Sequence, residues 1–390
     1  MEAFAFNTLE LTLLSAAGVL FVIQLIYWLA VYNRVYLRGR AARREETHFD
    51  KEMPPLSVIL RARDEAESLR QMLPLILEQD YPRFEVIVVN DASTDDTEDV
   101  LTLLEEQYPH LYHSFTPDSA RYISHRKLAI TLGIKASKYD WLVFTQTDCR
   151  PASDQWLRLM ARNFTSQAQV VLGYSGHDRA KGWLNKRVAF DTFFLSLRYL
   201  GFALMGKPYM GMGRNMAYRK ELFFTRKGFS SHLNLQRGED DLFVNQVANK
   251  NNTRVETDAR ATMRVQPVYH YKEWKEEKVS YMATSRLFRG AQRYLLGFET
   301  MSRILFYAAV VAGIACGIVD GRWAVWGIAL LLWLLRYTAQ AIVINLAARE
   351  LGEGRRYYFS LPVFDLLQPM QSLRFKLCRL FRDKRDFMRK

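Results

Sequence analysis

Acidic and basic residues gather at four places where short β-branched runs end or helices begin. Arg61-Ala62-Arg63-Asp64-Glu65 closes and follows Leu56–Arg61 (LSVILR), and Asn90-Asp91-Ala92-Ser93-Thr94-Asp95 follows Glu85–Asn90 (EVIVVN). Thr147-Asp148 follows Asp140–Gln146 (DWLVFTQ), and Gly238-Glu239-Asp240-Asp241 opens the stretch DLFVNQVANK. Carboxylates in such groups can accept hydrogen bonds from a ligand, hold a hard cation, or take up a proton. Each group also has a structural reading. Asp91, Ser93 and Asp95 suit an Asx-turn or a helix N-cap, and Glu239–Asp241 suits a helix N-terminus. Lys127 begins a helix, so its ammonium either meets a phosphate there or stands in solvent.

The elements that must position these groups follow from the same runs. Three short strands, each separated from the next by helical sequence, argue for a parallel sheet with crossover helices. In such sheets ligands sit beyond the carboxyl ends of the strands, where the polar groups fall.

Read in order, these residues resemble the start of a family 2 glycosyltransferase with the GT-A fold. The resemblance rests on Pro54–Leu60, Arg63-Asp64-Glu65, Gln79-Asp80-Tyr81-Pro82 and Val88–Thr97. It continues through His125-Arg126-Lys127, Thr147–Pro151, Gly211-Met212-Gly213-Arg214-Asn215 and Gly238–Phe243, and covers about 200 residues, from roughly Pro54 to Arg254. It implies a mixed, mostly parallel sheet with flanking helices that binds a nucleotide-diphosphate sugar, a UDP-sugar being favoured. By the same resemblance Asp91 meets the uracil or ribose, and Ala62, Asp64, Glu65 and Thr147 line the donor edge. Lys127 approaches a phosphate. Asp148 holds a divalent cation, Mg²⁺ or Mn²⁺. Within Glu239-Asp240 the aspartate is the catalytic base of an inverting transfer.

The chain departs from the family pattern at six positions. Asn90 replaces an acid, Asp64 stands where asparagine is common, and Gln146 replaces the first acid of the usual Asp-x-Asp. Hard cations need few protein carboxylates, because phosphates and waters complete their shell, so a metal is still expected at Asp148. In Trp274–Tyr281, Glu277, Ser280 and Tyr281 take the places of the family's Gln, Arg and ring residue. The missing arginine removes a clamp on the leaving group, and Lys278, Arg286 and Arg289 are candidates to replace it. Together with Gln146, this leaves a weakened, donor-binding scaffold as the alternative to an enzyme. A nucleotidyl- or phosphotransferase is disfavoured, since no phosphate-cradling glycine loop is present.

Composition bounds the partners. The 390 residues carry a formal charge of +13, and Leu351–Lys390 alone holds ten Lys/Arg against four Asp/Glu. Aromatic residues interleave those charges behind an apolar hairpin, which points to an anionic membrane surface; no nucleic-acid motif is present. Cys149, Cys316 and Cys378 have no metal spacing and imply no disulfide framework, as fits a reduced, cytosol-facing domain.

Leu11–Tyr32 is long and apolar enough to span a membrane, and Arg34, Arg38, Arg40, Arg43 and Arg44 follow it. By the positive-inside rule the N-terminus faces out. Ile304–Val319 and Trp323–Ala347 flank the turn Asp320-Gly321-Arg322 and read as a hairpin, either spanning or re-entrant. Arg336 within it either faces protein, water or a lipid phosphate, or snorkels to the headgroups. Phe190, Phe194, Leu197, Gly201 and Met205 recur at helical spacing, as a buried core helix or a face lying on the membrane. Leu373, Leu377, Leu380, Phe381, Phe387 and Met388, interleaved with basic residues, predict an interfacial helix. The expected organisation is a spanning helix over 1–33, a basic linker over 34–54 and a GT-A domain over 55–270. An interfacial segment over 271–300, a hairpin over 301–347 and a basic tail over 348–390 complete it. That is a multi-pass inner-membrane protein with a cytoplasmic catalytic domain, acting on a membrane lipid or lipid-linked acceptor.

Overall fold

The computed structural model describes residues 6–117 and 124–381. The chain enters through α1 (Thr8–Ile26), a π-helical turn (Tyr27–Tyr32) and α2 (Asn33–Arg43), which together form one rod. The α/β domain follows as β1 (Leu56–Ala62), α3 (Ala66–Leu77), β2 (Phe84–Asn90), α4 (Thr97–Gln107), β3 (Leu111–Phe115), α5 (His125–Ala136) and β4 (Trp141–Phe144). Then come β5 (Cys149–Pro151), α6 (Trp156–Ala161), β6 (Val170–Leu172), β7 (Ser175–His177), α7 (Trp183–Leu204), β8 (Met216–Arg219) and α8 (Lys220–Thr225). α9 (Asp241–Val247), β9 (Thr253–Val255), β10 (Met263–Val265) and α10 (Tyr271–Ser285) close the domain. Two long helices, α11 (Gln292–Val319) and α12 (Trp323–Glu350), lead to α13 (Leu361–Leu380).

The main sheet has seven strands in the order β3-β2-β1-β4-β8-β6-β9, and a smaller sheet is ordered β5-β10-β7. β1 runs parallel to both β2 and β4, pairing Ala62 with Asn90 and Ile59 with Phe144. β8 runs antiparallel to β4 and β6, so the sheet is mixed. β1, β2 and β4 are almost continuously buried, as central parallel strands covered on both faces must be. α3 covers one face with Leu69, Leu73, Ile76 and Leu77, an apolar stripe at helical spacing. The register brings the carboxyl ends of all three strands, and the polar residues after them, to one edge.

α7 is a core helix. Phe190, Phe194, Leu197 and Gly201 are buried and Met205 is half-buried. A Cβ at Gly201 would lie 2.8 Å from the Val31 carbonyl oxygen, so glycine lets α7 press against the π-helical turn. That turn contributes Tyr27, Trp28, Val31 and Tyr32 to the same apolar cluster as α7 and the C-terminal end of α12. The α/β domain and the long helices therefore share one core.

Among the described residues, three helices are long and apolar enough to cross a membrane: Thr8–Arg43, Gln292–Val319 and Trp323–Glu350. The short second apolar run is the far part of a 28-residue helix, about 42 Å long at 1.5 Å per residue and enough for a full span. Arg336 does not snorkel. It is buried, and its Nη1 donates to Asp365 Oδ2 of α13 at 2.9 Å, while its Nη2 donates to Gln24 Oε1 at 3.1 Å. Arg303 of α11 donates to the other oxygen of Asp365 at 3.1 Å. One carboxylate thus joins α11, α12 and α13, with α1 attached through Gln24. On α13, Leu373 and Leu377 face outward with Leu380, and Phe381 just beyond is also exposed, while Phe375 packs on Trp274 of α10. Phe387, Met388 and the basic residues beyond Phe381 lie outside the described residues.

Removing Asp365 takes from buried Arg336 the carboxylate it pairs with and leaves buried Arg303 only Glu299, 3.7 Å away. Asp365→Ala is expected to destabilise the protein by about 3–5 kcal/mol, read as a lower unfolding temperature in detergent; an unchanged temperature would show that the carboxylate is not what holds the helices together.

Candidate active site

A cleft of about 240 Å³ opens at the carboxyl edge of the main sheet. Its walls come from the loops after β1 and β4, the start of α5, the Gly211–Asn215 segment, the turn before α9, and α10. Of the residues expected to act there, Glu65, Thr147, Asp148, Glu239 and Asp240 line the cleft; Ala62, Asp64, Asp91 and Lys127 do not.

On one wall, Thr147 Oγ1 donates to Glu65 Oε2. Burial raises the Glu65 carboxyl above its usual range. Asp148 is partly exposed; its Oδ1 accepts from Cys149 Sγ at 3.1 Å, and Arg214 Nη2 stands 3.4 Å from Oδ2. The Nε of Arg214 donates to Gln146 Oε1 at 3.2 Å, and its Nη1 meets Glu277 Oε1 at 3.1 Å. Burial opposes ionisation of Glu277, but Arg214 and Arg237 override it and hold its carboxyl at about 2. So the two neutral or acidic replacements, Gln146 and Glu277, both hold Arg214.

On the other wall the three acids are handled separately. Burial works against the charge of Glu239, yet Arg126, with which it forms an ion pair, pulls it below the ordinary carboxylate range. Asp240 Oδ2 accepts from the Gly213 N–H at 2.9 Å and the Tyr281 hydroxyl at 3.2 Å. Its Oδ1 caps the Asp241 N–H of α9 at 2.7 Å. Burial, then the Glu239 charge, raises its carboxyl. Asp241 points away, accepting from Thr284 Oγ1, and is raised well above its usual range by burial and by Asp240.

Asp91 lies one layer beneath the lining. It is fully buried, with Oδ2 accepting from Arg61 Nε at 2.6 Å and Oδ1 from Thr116 Oγ1 at 3.0 Å. Asn90 makes the Asx turn, accepting from the Ser93 N–H at 3.1 Å. Asp64 adopts a left-handed conformation at φ 51° and accepts from the Thr94 N–H at 2.7 Å. Ala62 gives its carbonyl to the Asp91 N–H at 2.8 Å. These residues build the turn rather than the cleft surface.

Lys127 is placed differently from expectation. Its side chain is fully buried and its Nζ donates to the carbonyls of His232 and of Leu235, the latter at 2.8 Å. Burial lowers its ammonium to about 8. The helix start turns Arg126, not Lys127, into the cleft. None of the three candidates for the missing clamp lines the cleft either. Lys278 pairs with Asp191 at 2.5 Å, and Arg286 and Arg289 lie elsewhere on the α10–α11 connection. The cations that do line it are Arg61, Arg126, Arg214 and Arg237. All four stand in or beside motifs already quoted, at Arg61–Glu65, His125-Arg126-Lys127, Gly211–Asn215 and Gly238–Phe243, so the signal lay in those segments although the roles had been given to their neighbours.

A mixed sheet with a carboxylate- and guanidinium-lined cleft at its carboxyl edge defines a GT-A domain. Residues 57–224 match the model of glycosyl transferase family 2. Over 360 residues the chain is 23% identical to the probable glycosyltransferase YdaM of Bacillus subtilis (strain 168), covering 82% of this chain and 80% of that one. Among solved structures it is similar to the mannosyltransferase PcManGT from Pyrobaculum calidifontis, determined in complex with GDP-Man and Mn²⁺. That likeness has a TM-score of 0.55 at 19% identity, over 88% of this chain and 98% of that chain. The chain carries a glycosyl transferase family 2 domain and is a glycosyltransferase.

Lys127 ties α5 to the loop before α9, so its loss should cost stability more than ligand affinity. Lys127→Met is expected to lower stability by about 2 kcal/mol in thermal unfolding, while calorimetry finds nucleoside diphosphate affinity within a few-fold of wild type. A large loss of affinity at unchanged stability would return Lys127 to the phosphate site.

Proposed function

We propose that this glycosyltransferase moves a sugar, with inversion, from a nucleotide-diphosphate donor to a membrane-associated acceptor, a lipid or lipid-linked saccharide, at the cytoplasmic face. The observation that carries this reading is that Asp148 and Asp240 line one cleft while the domain shares its core with three apolar helices.

Asp240 is the base. The acceptor oxygen attacks the anomeric carbon, the bond from that carbon to the phosphate oxygen breaks, and the acceptor proton passes to Asp240. A single displacement inverts the anomeric centre. The Gly213 N–H and Tyr281 hydroxyl fix the Asp240 carboxylate, and its raised pKa strengthens it as a base. Arg126 keeps Glu239 ionised beside it. Glu65 and Thr147 line the donor side, above the turn built by Ala62, Asp64 and Asp91.

A divalent cation fits the donor set at Asp148, a partly exposed carboxylate with the Gln146 amide oxygen on the same turn. Among the described residues no three His, Cys, Asp or Glu side chains converge as a closed metal cage. An open, one-carboxylate site is what a cation shared with substrate phosphates requires. Bound there, such a cation would neutralise the leaving diphosphate.

Charge placement supports the topology. Gln24, Arg303 and Arg336 each lie about 20–24 Å along their helices from the ends at Thr8, Val319 and Trp323, which puts the buried charge layer towards the inner boundary of a hydrocarbon core. The basic residues after α1, together with the tail, face the anionic inner leaflet, and α13 lies along it with its apolar residues outward. The boundaries 1–33, 34–54, 55–270, 271–300, 301–347 and 348–390 remain our division of the chain.

Asp240→Asn is expected to lower the rate of nucleotide release by roughly 10²–10⁴-fold with donor affinity nearly unchanged. In the wild type the rate should fall, as pH drops, through a pKa above that of an ordinary aspartate, because Asp240 works only when ionised. Turnover of the mutant within a few-fold of wild type would make Asp240 a cap alone.

Topology is tested after replacing Cys149, Cys316 and Cys378. A cysteine at Gly321 should react with an impermeant thiol reagent in intact cells, and one at Lys138 should react only after lysis. Labelling of position 138 in intact cells would overturn the cytoplasmic placement and with it the cytoplasmic donor.

A further inference from the structure

Three of the four guanidiniums lining the cleft are already paired. Arg61 binds Asp91, Arg126 binds Glu239, and Arg214 bridges Asp148 and Glu277. Arg237 is different. Among the described residues its side chain makes no ion pair or hydrogen bond; its guanidinium carbon lies 4.8 Å from the centroid of the Tyr281 ring. Stacking on a ring fixes the plane of a guanidinium and leaves its N–H edge free to bind an oxyanion in a fork. The same Tyr281 donates its hydroxyl to Asp240, so Arg237 is held in register with that carboxylate. The backbone around it is fixed as well, since Ser124 Oγ donates to the Gln236 carbonyl at 2.9 Å and Lys127 Nζ to the Leu235 carbonyl at 2.8 Å.

The charge balance says what this free guanidinium is for. The cleft is lined by five carboxylates, Glu65, Asp148, Glu239, Asp240 and Glu277, against four arginines. Apart from a cation at Asp148, an incoming phosphate meets no net positive surface from the side chains, and Arg61, Arg126 and Arg214 could serve it only by leaving Asp91, Glu239 and Glu277 unpaired. Arg237 has no direct partner to give up; it bears on Glu239 and Glu277 only at a distance. Ser280, on the helical turn that carries Tyr281, cannot supply a positive charge.

We propose that Arg237 is the phosphate-binding residue of this cleft, supplying the oxyanion contact that Ser280 cannot make. The inference rests on the glycosyltransferase reading above and deepens it. The phosphate has two possible sources, the diphosphate of the donor or the phosphate of a lipid-linked acceptor.

The test uses the full-length protein in detergent with Mn²⁺. Calorimetry measures UDP, GDP and inorganic pyrophosphate on wild type, Arg237→Gln and Arg237→Lys, with uridine and guanosine as phosphate-free controls. Arg237→Gln should weaken diphosphate and pyrophosphate binding at least roughly tenfold and leave the nucleosides unaffected. Arg237→Lys should recover part of the loss, and the unfolding temperature should change little because the side chain makes no ion pair or hydrogen bond among the described residues. That pattern assigns the donor diphosphate. Unchanged diphosphate affinity with a tenfold rise in KM for a phosphate-bearing lipid acceptor at constant kcat also supports the inference and assigns the acceptor phosphate. If neither quantity moves, or if wild type binds neither a nucleoside diphosphate nor pyrophosphate, the inference falls. The binding measurements need no turnover, so a protein that binds diphosphate through Arg237 yet releases no nucleotide from any donor would sink the transfer mechanism alone.

Discussion

Glu239, Asp240 and Asp241 are consecutive and all buried, and the rest of the site is arranged around keeping them there. Three adjacent carboxylates repel, and burial strips each of the water that would screen it. The protein separates them by giving each a partner from a different element. Glu239 has Arg126 from the start of α5, Asp240 has the Gly213 N–H and Tyr281, and Asp241 has Thr284 one turn further along α10. α5, the Gly211–Asn215 segment and α10 are far apart in sequence, so meeting these three acids is what brings the cleft walls together. Helix capping and chemistry are not rivals here: one oxygen of Asp240 caps α9, and the other accepts from Gly213 and Tyr281.

The same logic recurs among the long helices. Asp365 sits between Arg303 and Arg336, and Arg198 of α7 reaches Glu299 of α11. In apolar surroundings these pairs have no water to fall back on, so the helices that carry them are bound to one relative placement. α7 lies in the α/β domain and α13 packs on α10, which carries Glu277 and Tyr281. The walls of the cleft are in this way referenced to the helices long and apolar enough to cross a membrane.

Much of this was legible in the residues. β1, β2 and β4 announce themselves because central parallel strands must be apolar on both faces, and the polar residues after them fall at the sheet edge by topology. Strand ends and a helix start put Glu65, Thr147, Asp148, Glu239 and Asp240 at the sheet edge, and the resemblance to family 2 glycosyltransferases supplied the roles expected of them. Lys127 could not. One step along a helix turns a side chain by about 100°, and that step decides whether Arg126 or Lys127 enters the cleft. Asp91 followed its strand as expected, yet what covers it is Arg61, the penultimate residue of β1, which stood in the quoted strand-end motif but was given no role. The partner of Arg336 was out of reach for a different reason: Asp365 lies 29 residues away across a turn, and periodicity speaks only of neighbours on one element.

The close approach of α7 to the π-helical turn, permitted by Gly201, also governs how the protein can be taken apart. Cutting the chain after Arg44 and before Gln292 would yield a fragment with every cleft loop up to α10, but with Phe190, Phe194, Leu197 and Leu200 stripped of Trp28, Tyr32, Ile344 and Ala347. An aromatic face of that size in water is a site for self-association. The α/β domain is therefore not a separable module, and dissection where the long apolar helices begin and end would cut through the middle of the hydrophobic core.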